Sequence, residues 1–153
     1  MSRPYGRRTW RGVVLNNRTI DMLEWAERKS GVTVTPSQGS YTGGAVAASG
    51  STHNGGGAVD IRSSILSPSS RKRLVKALKD AGFAAWYRGP KSGFSPHIHA
   101  IALRDKQAST SAKWQMQEYL AGRSGLTSSG RDTTYRPDPQ VRWSWKRQKP
   151  VAL

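Results

Sequence analysis

The chain has 153 residues, the size of one ordinary domain, and is long enough to bury a single core. With 25 Lys+Arg against 9 Asp+Glu the formal charge is +16, a field that favours polyanionic partners: nucleic acid, acidic cell-wall polymers or an anionic membrane surface. No cysteine is present, so disulfides and thiolate metal sites are excluded, and no apolar run approaches membrane-spanning length.

Residues 1–12 read as a basic arm. It starts Met1-Ser2-Arg3-Pro4-Tyr5-Gly6-Arg7-Arg8 with no apolar segment behind it, so no secretory signal is expected. A helix is predicted from about Asn17 to Lys29, with Ile20, Leu23 and Ala26 on one face and Gly31 as its stop. Val32-Thr33-Val34-Thr35 alternates and is β-branched, which predicts a strand ended by Pro36. From Ser37 to Gly57 the chain is rich in Gly, Ser and Ala and has no period. A loop of that length is uncommon in a small domain and is often functional. Ala58-Val59-Asp60-Ile61 then reads as a short strand.

The clearest element follows. Ser67 caps a helix, Pro68 takes its first position, Leu74, Val75 and Leu78 form its apolar stripe, and Gly82 ends it. Phe83–Tyr87 and His97–Leu103 read as strands joined by a loop from Arg88 to Gly93. Ser111 is expected to open a third helix, packed through Trp114 and Tyr119 and ended near Gly122. Residues 123–153 read as an extended basic tail carrying Tyr135, Trp143 and Trp145. The element order predicts an α+β domain over residues 13–122, built on a small antiparallel sheet with flanking helices.

All three histidines occupy informative positions. His53 lies in Ser51-Thr52-His53-Asn54-Gly55-Gly56-Gly57-Ala58-Val59-Asp60, where a glycine-rich loop enters a strand. His97 and His99 open another strand and, two apart, share a face. Without thiolates zinc takes imidazole nitrogens and carboxylate oxygens, and His53, Asp60 and one or both of His97 and His99 supply that set. Asp60 sits in an otherwise apolar strand, where an unpaired carboxylate is costly. Taken singly these residues have plainer readings: a His-x-His pair is common in ordinary strands, and Asp60 has Arg62 or Arg88 as alternative partners.

Taken together, Ser51-x-His53-x-x-Gly56-x-Ala58-x-Asp60 followed by His97-x-His99 resembles the zinc D-alanyl-D-alanine peptidase family. That family includes bacterial carboxypeptidases, VanX- and VanY-type enzymes and phage endolysins, and shares its fold with the hedgehog signalling domain. The likeness runs over roughly residues 13–103, and the loop from Gly39 to Asp60 also resembles small actinobacterial and actinophage proteins of this type. It implies a hedgehog-like α+β fold and a zinc cofactor held by His53, Asp60 and His99. It makes His97 a non-ligand beside the metal and Ser51 a supporting residue that orients the loop or a ligand. The implied activity is hydrolysis of stem-peptide or cross-bridge amides of peptidoglycan. The implied location is the cell wall, reached after cytoplasmic synthesis by lysis or holin release or by incorporation in a virion.

Two departures stand out. The bacterial enzymes carry an Asp or Glu three residues before the last ligand as general base; here that position is Pro96, and no Asp or Glu occurs between Asp80 and Asp105. The family's Ser-Gly-Tyr-Arg-Ser-like stretch, whose Arg stabilises the carbonyl oxygen, is Ser37-Gln38-Gly39-Ser40-Tyr41. Gln38 can donate a hydrogen bond there but brings no charge. His97 is then the candidate catalytic base, since imidazole titrates near neutrality. The alternative is a weak or inactive zinc module of a virion or wall-associated assembly. The basic, aromatic ends suit anionic wall polymers or virion subunits, and no nucleic-acid-binding motif accompanies them.

Overall fold

A computed structural model describes residues 3–43, 51–90, 93 and 95–153. Among the described residues the fold is α+β, with small antiparallel sheets and three α-helices. Strands β1 (Arg7–Trp10) and β2 (Val13–Asn16) form a hairpin, followed by helix α1 (Asn17–Ser30). Then come β3 (Pro36–Gln38), a 3-10 turn (Thr52–Asn54), β4 (Ala58–Arg62) and helix α2 (Pro68–Ala81). The chain continues through β5 (Phe83–Arg88), β6 (His97–Ala102), helix α3 (Thr110–Leu120), β7 (Val141–Ser144) and β8 (Lys149–Ala152). The central sheet has the order β3-β4-β6-β5, antiparallel throughout.

Helices α1 and α2 lie on one face of that sheet. There Ile20, Leu23 and Ala26 of α1 and Leu74 and Leu78 of α2 bury against Val59, Ile61, Phe83, Ile98 and Ala100. The opposite face carries a smaller cluster, in which Ala112, Met116 and Tyr119 of α3 cover Trp86 and Ile101. The local signals for α2 act as read: the Ser67 side chain accepts from the Ser70 N–H, Pro68 starts the helix, and Gly82 closes it in the left-handed region at φ 107°.

Four readings are corrected. Val32–Thr35 is not a strand, because the Val34 N–H donates to the Glu27 carboxylate and its carbonyl accepts from Arg11. With those groups satisfied by side chains, pairing with β4 begins at Pro36, an edge position where the missing N–H costs nothing. The N-terminal stretch is not a free arm. Arg11 (φ 49°) and Gly12 (φ 89°) make a two-residue turn that folds β1 back onto β2 and buries Trp10.

The stretch from Arg123 onward is not an extended tail either. The hairpin β7–β8 returns to α2, and Trp143 is 2% exposed, edge-on to Trp25 at 6.4 Å. Arg18, itself buried, donates to the carbonyls of Leu103 and Trp143 and locks that hairpin to the core. Finally, α3 begins at Thr110 with Ser109 as its cap, and Trp114 lies exposed, because the inward face of the helix runs through Ala112, Met116 and Tyr119. Part of the long Gly/Ser/Ala loop (44–50) and part of the 88–93 loop lie outside the described residues.

Candidate metal centre

The α3 face of the sheet presents two cross-strand rows. Antiparallel register sets Gln38, Asp60, His99 and Trp86 side by side across β3, β4, β6 and β5. The next row holds Arg62, His97 and Arg88. Directly opposed residues point to the same face, so the register alone brings the carboxylate against the two histidines of β6.

His53 arrives from the loop. The stretch 52–57 is clamped on both sides: the Tyr41 and Thr42 N–H groups donate to the Gly55 and His53 carbonyls, and the Gly56 N–H donates to the Gln107 carbonyl. The Ser109 hydroxyl donates to the Thr52 carbonyl. Gly55 is required by this packing, since a Cβ there would stand 2.3 Å from the Gln107 carbonyl oxygen. Gly57, at φ 85°, turns the chain into β4. The result seats His53 at 1% exposure beside Asp60.

Three donor atoms converge. His53 Nε2 is 3.3 Å and His99 Nδ1 2.8 Å from Asp60 Oδ1, and the three residues offer ligand atoms all within 4.8 Å of one another. Two ligands about 2.1 Å from one tetrahedral ion lie about 3.4 Å apart, close to these spacings. The far nitrogens of both rings are already engaged. His53 Nδ1 lies 2.8 Å from the Gly39 carbonyl oxygen, and His99 Nε2 lies 2.7 Å from Gln115 Oε1. With Nδ1–H of His53 donating to a carbonyl, its Nε2 is left with a lone pair. That atom is buried, has no hydrogen-bond partner among the described residues, and faces a carboxylate oxygen, another acceptor. A cation between them resolves the conflict, so this buried group could hold a metal ion.

Electrostatics agree with that assignment. Burial by itself pushes the Asp60 carboxyl up, but the adjacent His53 and His99 rings outweigh it and hold the group well below the usual carboxylate range. Burial pushes the His99 imidazole below its ordinary value against the opposing pull of Asp60, which favours the neutral, ligand-competent ring. Trp86 stacks on His99 at 6.1 Å and 15°, fixing the ring plane.

The other residues singled out from the sequence are placed as follows. His97 Nδ1 lies 2.6 Å from the Ser95 carbonyl oxygen, so that nitrogen bears the proton, and Nε2 sits 3.7 Å from Asp60 Oδ1. His97 is thus beside the three-atom cluster without belonging to it. Gln38 lies opposite Asp60, on the site face. The exposed Ser51 hydroxyl meets the Ser111 hydroxyl at the start of α3, so it anchors the loop that carries His53. The carboxylate of Asp60 is engaged by histidines rather than paired with Arg62 or Arg88, although Arg88 lies close enough to feel its charge.

Sequence reasoning missed Gln115. The available signal was a polar residue between Ala112, Met116 and Tyr119 on the inward face of α3, where an apolar residue fits the stripe. Comparison of the chain with protein-family models, with curated proteins and with solved structures gives no match. Among the described residues no helix is long and apolar enough to cross a membrane.

Proposed function

We propose that the chain is a zinc-dependent peptidase of the D-alanyl-D-alanine peptidase type, with a hedgehog-like fold, that hydrolyses peptide amides of peptidoglycan. The observation that carries this reading is the convergence of His53 Nε2, Asp60 Oδ1 and His99 Nδ1, with the outer nitrogen of each ring held by a second partner. The cysteine-free N/O donor set is one that zinc accepts in catalytic centres. When bound, the ion would polarise the scissile carbonyl and lower the pKa of a coordinated water to about 7.

The protein's own part begins with His97. Its Nε2 lone pair is turned toward the site because Nδ1–H is committed to Ser95. It takes a proton from the attacking water as the water oxygen bonds to the amide carbon. It then returns that proton to the leaving amine nitrogen as the C–N bond breaks. Gln38, on the same face, offers an amide N–H to the developing carbonyl oxygen. In this reading the protein meets its substrate at the cell wall, after release by lysis or as part of a virion.

One observation favours a second reading. Pro96 stands where the family carries its carboxylate base, and Asp60 is the only carboxylate in the described metal cluster. A zinc-holding wall-binding or virion module would need no base. The two separate in one assay: release of amino groups from purified peptidoglycan by zinc-loaded protein. His97→Ala is expected to keep the metal and lose about 100-fold or more in turnover, whereas His99→Ala loses the metal. Equal activity of the His97→Ala protein removes His97 from the chemistry. Absence of cleavage by zinc-loaded wild type across several wall chemotypes favours the module.

A further inference from the structure

Beside β5 lies an open groove of about 730 Å³ between α2 and residues 124–135. Two buried cations build it. Lys79, 1% exposed, donates to Thr134 Oγ1 at 2.7 Å and to the Tyr135 carbonyl at 2.6 Å. Arg88 donates to the Ser124 carbonyl at 2.6 Å. These bonds pin the far wall of the groove to α2 and β5. The cations left on its rim are Arg71 and Lys72 of α2 and Arg131 opposite, Lys76 being held in an ion pair with Asp80 at 2.9 Å, and Asp132 is the only carboxylate among the described residues that line the groove.

The chemistry of the walls narrows the occupant. Trp86, Tyr87 and Arg88 all line the groove, yet consecutive strand residues point to opposite faces. A cavity that touches all three therefore lies against the strand edge. β5 is the edge strand of the central sheet, with no strand paired on its outer side among the described residues. One face of each ring is already covered: Arg71 sits 3.9 Å over Tyr87, Lys76 4.4 Å over Tyr135, and Arg88 4.8 Å over Trp86. A single nucleic-acid strand needs free rings for its bases to stack on, and these rings instead hold cation heads in place.

We propose that the groove binds an acidic peptide segment in extended conformation, its backbone pairing with the β5 edge at Trp86–Arg88, the part of the strand that lines the groove, and its carboxylates meeting Arg71, Lys72 and Arg131. Trp86 is the common wall of groove and metal centre, since its indole also stacks on His99. The segment would then be part of the substrate, a step that rests on the peptidase reading; the binding itself does not.

The test is fluorescence anisotropy of a fluorescein-labelled oligo-glutamate octapeptide with metal-free, full-length protein. Lys72→Ala/Arg131→Ala is compared with Lys146→Ala/Arg147→Ala, an equal charge change at exposed residues of the β7–β8 turn. The groove pair is expected to weaken binding about tenfold or more and the control pair less than about threefold. The same peptide N-methylated at alternate residues is expected to bind at least about tenfold more weakly, through loss of edge pairing. Equal losses in the two double variants, or undiminished binding of the N-methylated peptide, overturn the proposal. So does stronger competition by a single-stranded oligonucleotide of matched charge. Peptide binding by a protein that, zinc-loaded, releases no amino groups from peptidoglycan leaves the groove standing and counts against the peptidase reading alone.

Discussion

Replacing His53 by alanine tests the metal centre most directly. The substitution removes one of three converging donor atoms and leaves Asp60 and His99, too few for a tight site. A ligand that binds only the native state stabilises it by about 2.7 kcal/mol at a free concentration of 100 times Kd. For a domain of this size each kcal/mol raises Tm by about 2–4 °C, so zinc should raise the wild-type Tm by about 5–11 °C. The comparison is made for each protein against its own chelated form. That cancels the separate cost of losing the bond between His53 Nδ1 and the Gly39 carbonyl. In calorimetry the His53→Ala protein should show a zinc-induced shift below about 1 °C under the same conditions. A shift as large as that of wild type would refute the assignment of His53 Nε2 as a ligand atom, as would a wild type unmoved by zinc.

Gln115→Leu should weaken zinc binding about 10–100-fold in titration calorimetry, because His99 Nε2 loses the partner that orients its ring. Trp143→Ala should cost about 3–5 kcal/mol in denaturant unfolding, since the indole is a core residue packed on Trp25; a loss under about 1 kcal/mol would mean that the C-terminal hairpin is not part of the cooperative unit. The chelated protein should lose stability on acidification. The folded-state value of His99 lies below its ordinary 6.5, so the unfolded chain binds the extra proton first. Stability from this residue is therefore full above about 6.5 and falls as pH drops toward the depressed folded value. Asp60 adds a loss in the same direction at lower pH, because its folded value is depressed below the carboxylate range. A Tm unchanged between about pH 7.5 and 5 would contradict the direction given for His99.

Residues whose signals are local were legible in the sequence. Ser67, Pro68 and Gly82 mark the ends of α2 because capping and φ preference act within a few residues. The residues themselves showed His53, Asp60 and one or both of His97 and His99 as a candidate ligand set, and the choice of His99 came from the resemblance of the motif to the zinc peptidases. What the sequence could not determine depends on pairing between distant segments. Register across β4 and β6 decides that Asp60 faces His99, and a slip of one residue would turn one of them to the other face of the sheet. Docking of α3 decides that Gln115 meets His99. The Glu27 and Arg11 side chains occupy the backbone of Val34, so strand pairing moves to Pro36–Gln38 despite the β-branched run before it. Both chain ends read as loose basic segments because their composition is polar. Tertiary contact folds them into hairpins, since Trp10 and Trp143 bury more apolar surface against the helices than either segment can cover alone.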